Sequence, residues 1–496
     1  MKGKFQKWTI ALLLVFLLVF SAEAEGVILI NGDLEPKTRE ETLAMLSAMA
    51  DVYDQDEAVA AELSGEIELN EIPDPFGMDE SETITICSLT HGGQTMRFLM
   101  DIIGEPDENG LYPLYLTLHG GGEDVPEGND EQWMSMYYYY RSAVQNGIYI
   151  ACRGITDTWD LHFRPESYPL YDRLIQAMIR LYRADPNRVY LLGFSAGGDG
   201  VYQIAPRMAD RFAAANMSSG HPNGVSLRNL MNCPFSIQVG VYDYYSESAL
   251  RCIRGAEFDQ VLNAYHDQYG YGYEHQVLVH VPAGHNYNDF SDEEEAEVLV
   301  NPTVYANPEI VDTMMDCFLD ALQSILREDD VSFLSYYPAG ENAAFDQAVR
   351  KIVKEDFQLE TTFVNANAVD YVSRFTRNPA PDTVVWDLST RAASREVDSF
   401  YWLKADASVT EGTIAAYLDA ENNTIRVNPE NVNGDFSILV NPALLDVENP
   451  IHIITPEGEF EVLVHPSEET MLASILETGD PTLAWAAEIP YSLLHE

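Results

Sequence analysis

The sequence predicts an α/β domain built on a mostly parallel, doubly wound sheet, followed by a smaller all-β domain of sandwich type. Three observations carry that expectation. Continuous apolar runs alternate with helical runs between Leu114 and Ile325, the pattern of parallel strands buried on both faces. A glycine-flanked turn, Gly193-Phe194-Ser195-Ala196-Gly197, stands between one such strand and a helix. From Thr383 onward the chain reads as short β-runs separated by turns such as Glu421-Asn422-Asn423 and Asn433-Gly434-Asp435, as in a small sandwich.

The elements follow in chain order. Lys2, Lys4 and Lys7 precede an apolar run of eleven residues, Ile10 to Phe20, and then Ala22-Glu23-Ala24. That is a signal-peptide pattern, too short to span a membrane. Residues 1–24 are expected to be removed, which makes the protein secreted, with no stable membrane insertion; an uncleaved anchor is the competing reading. Residues 25–80 read as an N-terminal helical arm around Thr38 to Leu63.

The catalytic domain is expected over residues 81–330. Thr83 to Ser88 and Thr95 to Ile103 form a hairpin around His91-Gly92-Gly93. Leu114 to Leu118, Gly147 to Cys152, Val189 to Leu192, Phe212 to Met217, Phe235 to Val241 and His275 to Val281 read as strands. Leu170 to Tyr182, Gly198 to Met208, Ala249 to Tyr269 and Ile310 to Ile325 read as helices. Residues 331–370 are a connecting segment, and 371–496 the β-domain.

Composition sets outer limits. The chain has 496 residues, 46% hydrophobic and 22% charged, with a net charge of −52. Losing residues 1–24 removes three lysines and one glutamate and makes the charge −54. Such a chain repels nucleic acid and anionic membranes, so neither is an expected partner. The five cysteines are scattered and odd in number, so they form no disulfide framework. The acidic run Asp289 to Glu297 lacks EF-hand spacing and reads as solvated surface.

The chemistry begins at Ser195. A serine hydroxyl is a weak nucleophile unless it is exposed, strained and paired with a base. Gly193 and Gly197 permit a sharp strand-to-helix turn that lifts Ser195 above the sheet. His119-Gly120-Gly121-Gly122 follows the strand Leu114 to Leu118. Acyl transfer builds charge on a carbonyl oxygen, and backbone N–H groups of Gly120 or Gly121, with that of Ala196, can receive it. His119 is expected to orient this loop rather than act as base.

Order completes the set. Asp243 lies just past the strand Phe235 to Val241, and His285 just past the strand His275 to Val281. The carboxyl ends of parallel strands share one rim, so Ser195, Asp243 and His285 fall together as nucleophile, orienting acid and base. Asp199 follows the turn on the wrong side for a triad acid and is read as a cap on the helix. Trp159, His162 and His221 are expected to line the substrate pocket. The aromatic residues Trp133, Tyr137 to Tyr140, Phe163, Tyr168 and Tyr171 read either as a stacking platform or as packing under a loop. Arg153 is expected to pair with carboxylates.

On these motifs the chain resembles the α/β-hydrolase superfamily across roughly residues 95–325. Leu118 to Gly122, Tyr190 to Gly200, Val239 to Asp243 and Gly284 to Asn286 look like esterases of the feruloyl-esterase, polyhydroxybutyrate-depolymerase and dienelactone-hydrolase kind. The stretches around Asp157-Thr158-Trp159, Arg377-Asn378-Pro379 and Phe400-Tyr401-Trp402-Leu403 resemble bacterial hydrolases with a β-rich tail. The resemblance implies a serine esterase that needs no metal or organic cofactor. Its substrate would be a small-molecule or polysaccharide-linked ester. A peptidase of the prolyl-oligopeptidase type and an inactive carbohydrate-binding protein are the alternatives.

Overall fold

The computed structural model describes residues 26–73, 83–122, 125–240, 243, 251–280, 285, 358–360 and 364–495. The leader over 1–24, the acidic run Asp289 to Glu297 and the helix expected over Ile310 to Ile325 lie outside the described residues. Among the described residues, no helix is long and apolar enough to cross a membrane.

The described chain opens with β1 (Val27–Ile30), α1 (Arg39–Gln55) and α2 (Glu57–Gly65). Thr38 and Glu41 form a reciprocal capping box on α1, and Asp56 accepts the N–H groups of Ala58 and Val59 at the start of α2. Each such cap contributes about 1 kcal/mol. Then come β2 (Ile67–Pro73), β3 (Thr83–His91), β4 (Gln94–Ile103), β5 (Tyr112–Leu118), α3 (Pro126–Tyr139), β6 (Gly147–Cys152), α4 (Ser167–Tyr182), β7 (Ala184–Phe194) and α5 (Ala196–Arg207). After them follow β8 (Ala214–Ser218), β9 (Phe235–Gly240), α6 (Arg251–Tyr269), β10 (His275–His280), β11 (Gln358–Glu360) and α7 (Val364–Val372).

These strands form one ten-stranded sheet in the order β11-β10-β9-β8-β7-β5-β6-β4-β3-β2. From β11 to β6 all neighbours run parallel, and β4, β3 and β2 extend the sheet antiparallel. Every residue of β6 and β9 is buried, which is why both read as unbroken apolar runs. The order reverses at β5, whose neighbours are β6 on one side and β7 on the other. Open parallel sheets form their ligand crevice beyond the strand ends at such a switch point. This is the α/β-hydrolase arrangement.

The rest of the chain supplies β12 (Thr383–Asp387), β13 (Ser399–Phe400), β14 (Leu403–Lys404), β15 (Thr413–Asp419), β16 (Thr424–Glu430), β17 (Ser437–Val440), β18 (Ile451–Thr455), β19 (Gly458–Val464), α8 (Glu468–Thr478) and β20 (Ala487–Pro490). They make a six-stranded sheet, β1-β19-β18-β16-β15-β12, and a four-stranded one, β13-β14-β17-β20. Trp386 of the first stacks on Phe400 of the second, ring centroids 5.4 Å apart.

Three expectations change. Residues 25–80 are not a separate helical arm. β1 pairs parallel with β19, whereas β2 pairs with β3 at the edge of the ten-stranded sheet. A four-residue strand carries too little alternation to announce a partner more than four hundred residues away. The connecting segment 331–370 contributes β11, which pairs parallel with β10. The β-domain also contains a helix, α8, capped by Ser467 and ended by Gly479 at φ 63°. Those are start and stop signals that the surrounding β-runs masked.

The joint between the two units is charged and buried. Arg395 Nε lies 2.8 Å from Asp172 Oδ2, and its Nη1 lies 3.0 Å from Asp210 Oδ1. Arg377 Nη2 reaches Asp480 Oδ2 at 2.6 Å, and Arg211 Nη2 donates to the Thr478 carbonyl at 2.7 Å. Burial works against the charge on Arg395, but Asp172 and Asp210 outweigh it and raise its pKa. Around this cluster one apolar core runs without a break from β5 and β7 into β12 and β17.

Candidate active site

The strand-to-helix turn at the end of β7 is built by close backbone packing. A Cβ on Gly197 would run into the Leu118 carbonyl, and one on Gly193 into the Gly197 carbonyl. Ser195 sits between them at φ 57°, ψ −120°. Such a conformation costs a non-glycine residue about 1–3 kcal/mol and persists only where its surroundings enforce it. The strain holds Oγ at the head of α5, partly exposed.

Ser195 Oγ lies 2.8 Å from His285 Nε2, and His285 Nδ1 lies 3.0 Å from Asp243 Oδ2. The structure therefore brings together the three residues expected to meet on the rim. Asp243 is fully buried. Its second oxygen, Oδ1, is 3.4 Å from Arg251 Nη1, and its carbonyl accepts the Arg251 N–H at 3.0 Å. The His285 carbonyl accepts the Ser219 hydroxyl at 2.9 Å, and Phe194 lies beside the imidazole with centroids 5.4 Å apart. Arg251 and Ser219 were not anticipated. Nothing in the spacing of an arginine eight residues after an aspartate marks it as that aspartate's partner.

The glycine loop after β5 lies against Ser195. A Cβ on Gly120 would come 3.3 Å from Ser195 Cβ. Gly122 donates its N–H to Asn129 Oδ1 at 2.8 Å, which leaves Gly120, Gly121 and Ala196 as the N–H groups available to a developing oxyanion. Asn129 also went unforeseen. It is fully buried, and its amide donates to Asp157 Oδ1 at 3.1 Å. Asp157 pairs with Arg153, which in turn holds Asp130 at 2.7 Å. The loop is thereby tied through α3 to a chain of ion pairs, in which Arg153 meets carboxylates as expected.

Two histidines support this loop from within. His119 Nε2 accepts the Gly154 N–H at 3.1 Å, so its proton is on Nδ1, which donates to the Gly120 carbonyl at 2.5 Å. His162 is fully buried and its Nε2 donates to the His119 carbonyl at 2.9 Å. His162, expected to line the substrate pocket, is instead fully buried and braces the loop from beneath. The turn that carries it folds under the loop together with Leu161, which is also fully buried. Burial drives the pKa of His119 far down, helped by His162, and pushes that of His162 down to about 3. Both rings are neutral.

Asp199 also departs from expectation. It caps no N–H of α5. Its Oδ1 accepts the His221 N–H at 2.6 Å and its Oδ2 accepts the Asn223 amide at 2.9 Å. It thus fastens the loop that carries Ser219. Burial pushes its carboxyl up to about 6. The ring of His221 turns to Asn223 Oδ1 at 2.9 Å.

The aromatic residues divide. Trp133, Tyr137, Tyr140, Tyr168 and Tyr171 are buried packing residues. Trp159 is 49% exposed, packs edge-on to Phe163, and its Cα lies beside Gly122. Of the three pocket residues expected, His162 is buried, His221 is partly exposed and Trp159 is the most exposed.

Neither a protein-family profile nor a curated protein sequence matches the chain. Solved structures resemble it in fold. A thermostable esterase is 17% identical over 51% of this chain and 63% of its own, with a TM-score of 0.30, so this chain spans under two thirds of that protein. A ferulic acid esterase is 15% identical over 48% of this chain and 96% of its own, TM-score 0.28. An S-formylglutathione hydrolase from Agrobacterium tumefaciens is 15% identical over 44% and 92%, TM-score 0.30. Likenesses of this size carry no argument about chemistry, which rests on the site.

Proposed function

We propose that the protein is an exported serine hydrolase that cleaves carboxylic esters through an acyl-enzyme. One observation carries the reading: Ser195 Oγ, His285 and Asp243 form a continuous hydrogen-bonded chain, at 2.8 Å and 3.0 Å, beside a glycine loop. In this mechanism Ser195 Oγ attacks the ester carbonyl and gives its proton to His285 Nε2. Asp243 holds the Nδ1–H and stabilises the imidazolium. The oxyanion takes N–H groups from the glycine loop and Ala196. His285 then passes the proton to the leaving alcohol, and water releases the acid by the same steps in reverse order.

Acylated polysaccharides or plant-derived esters are the substrate class we favour. The leader pattern in residues 1–24 supports export, and Trp159 offers an exposed aromatic face for a ring of the substrate. A gated peptidase is less well supported, because the β-rich unit makes one six-stranded and one four-stranded sheet and not a ring of blades.

The test is labelling by a fluorophosphonate probe together with turnover of p-nitrophenyl acetate. The Ser195→Ala protein should take up no probe and lose about 10⁶-fold in kcat. A folded wild-type protein that neither labels nor turns over would overturn the reading.

A further inference from the structure

A second cavity, of about 410 Å³, lies where the turn after β1, helix α8 and the four-stranded sheet meet. No residue of the triad or the glycine loop lines it. Its size falls within the range of small-molecule sites.

Its lining mixes acceptors and donors. Asp33, Glu469, Glu477 and Glu488 supply carboxylates. Lys404 stands among them, its Nζ 3.3 Å from Glu477 and 3.8 Å from Glu488. Trp485 is 1% exposed, and its indole N–H is buried with no hydrogen-bond partner among the described residues. Burying an N–H donor without a partner is unfavourable, which asks for an occupant that accepts from it. Leu34, 40% exposed, adds an apolar wall.

The charge excludes anions. A bare cation would compete with Lys404, which already satisfies two of the carboxylates. Vicinal hydroxyls suit the lining better, since each can donate to a carboxylate and accept from the ammonium or the Trp485 indole N–H. Their C–H faces suit Leu34. We propose that this cavity binds a saccharide unit, giving the β-rich domain a glycan-binding site separate from the hydrolytic one. The binding needs no hydrolysis and stands or falls independently of the triad.

The test uses the full mature chain carrying Ser195→Ala. Saturation-transfer NMR is run with D-xylose, D-glucose, D-galactose and N-acetyl-D-glucosamine, and with spermidine as the cationic control. At least one sugar should bind with roughly millimolar affinity. Ala473→Phe, at an exposed lining position of α8, should weaken it ~tenfold or more, with Tm and p-nitrophenyl acetate turnover (Ser195 intact) unchanged. Lys404→Met should weaken binding too. Absence of sugar binding, binding untouched by Ala473→Phe, or binding of spermidine alone would each overturn the proposal.

Discussion

The catalytic rim and the joint between the domains both hold charge out of water, and they do so in opposite ways. At the joint, Arg377 and Arg395 are nearly saturated by Asp172, Asp210 and Asp480 and by carbonyl oxygens, in a setting almost wholly closed to solvent. At the rim, Ser195 is strained and partly exposed, and it makes a single side-chain hydrogen bond to a base. Satisfied charge gives rigidity, and a strained, half-satisfied group gives reactivity. The joint fixes two units as one body. The rim keeps the Ser195 hydroxyl partly exposed beside His285.

The largest effect is expected at the joint. Arg395→Ala leaves Asp210 buried without its ion-pair partner and Asp172 with Arg211 alone, and should cost about 3–5 kcal/mol in urea unfolding. Arg374→Ala removes a pair that is mostly exposed on both sides and should cost about 0–1 kcal/mol. Equal losses in the two variants would show that burial does not set the difference. At the rim, Asn129→Ala should lower kcat roughly 30-fold with little change in KM, less than the hundredfold or more for loss of an oxyanion donor itself. An unchanged kcat would mean that the Gly122 loop holds its shape without Asn129.

The two regions also differ in how far the sequence discloses them. The triad was legible because each member follows a strand whose apolar run is continuous, and because Ser195 and the loop at Gly120 carry glycines that close packing demands. Strand ends meet by topology, so chain order was enough. The joint was not legible: Arg395 and Asp172 are 223 residues apart, and neither has a local signal. The residues that position the site failed for the same reason. Asn129, Ser219 and Arg251 act through contacts that only the assembled fold creates. His162 misled because a histidine after a strand reads alike whether it faces the crevice or the core.

That histidine gives the smallest but most specific test of the comparison. His119 and His162 are buried and neutral, with pKa values held below the ordinary 6.5, that of His162 near 3. Between those values the unfolded chain binds protons that the native state refuses, so their contribution to stability is complete above about pH 6.5 and declines as pH falls. Each can contribute a slope of up to about 1.4 kcal/mol per pH unit. Asp199 works in the opposite direction. Its carboxyl, raised to about 6, binds its proton more readily in the native state, which offsets part of the decline as pH drops below 6. Total stability therefore hides the histidines, and the difference between two proteins reveals them. His162→Gln keeps a donor for the His119 carbonyl and removes one titrating ring. Urea unfolding from pH 6.5 down to pH 5 should show the wild type losing stability faster than His162→Gln by up to about 1.4 kcal/mol per pH unit. Parallel profiles would mean that His162 takes up its proton in the folded protein, and that the brace under the glycine loop is not the dry, neutral contact its geometry describes.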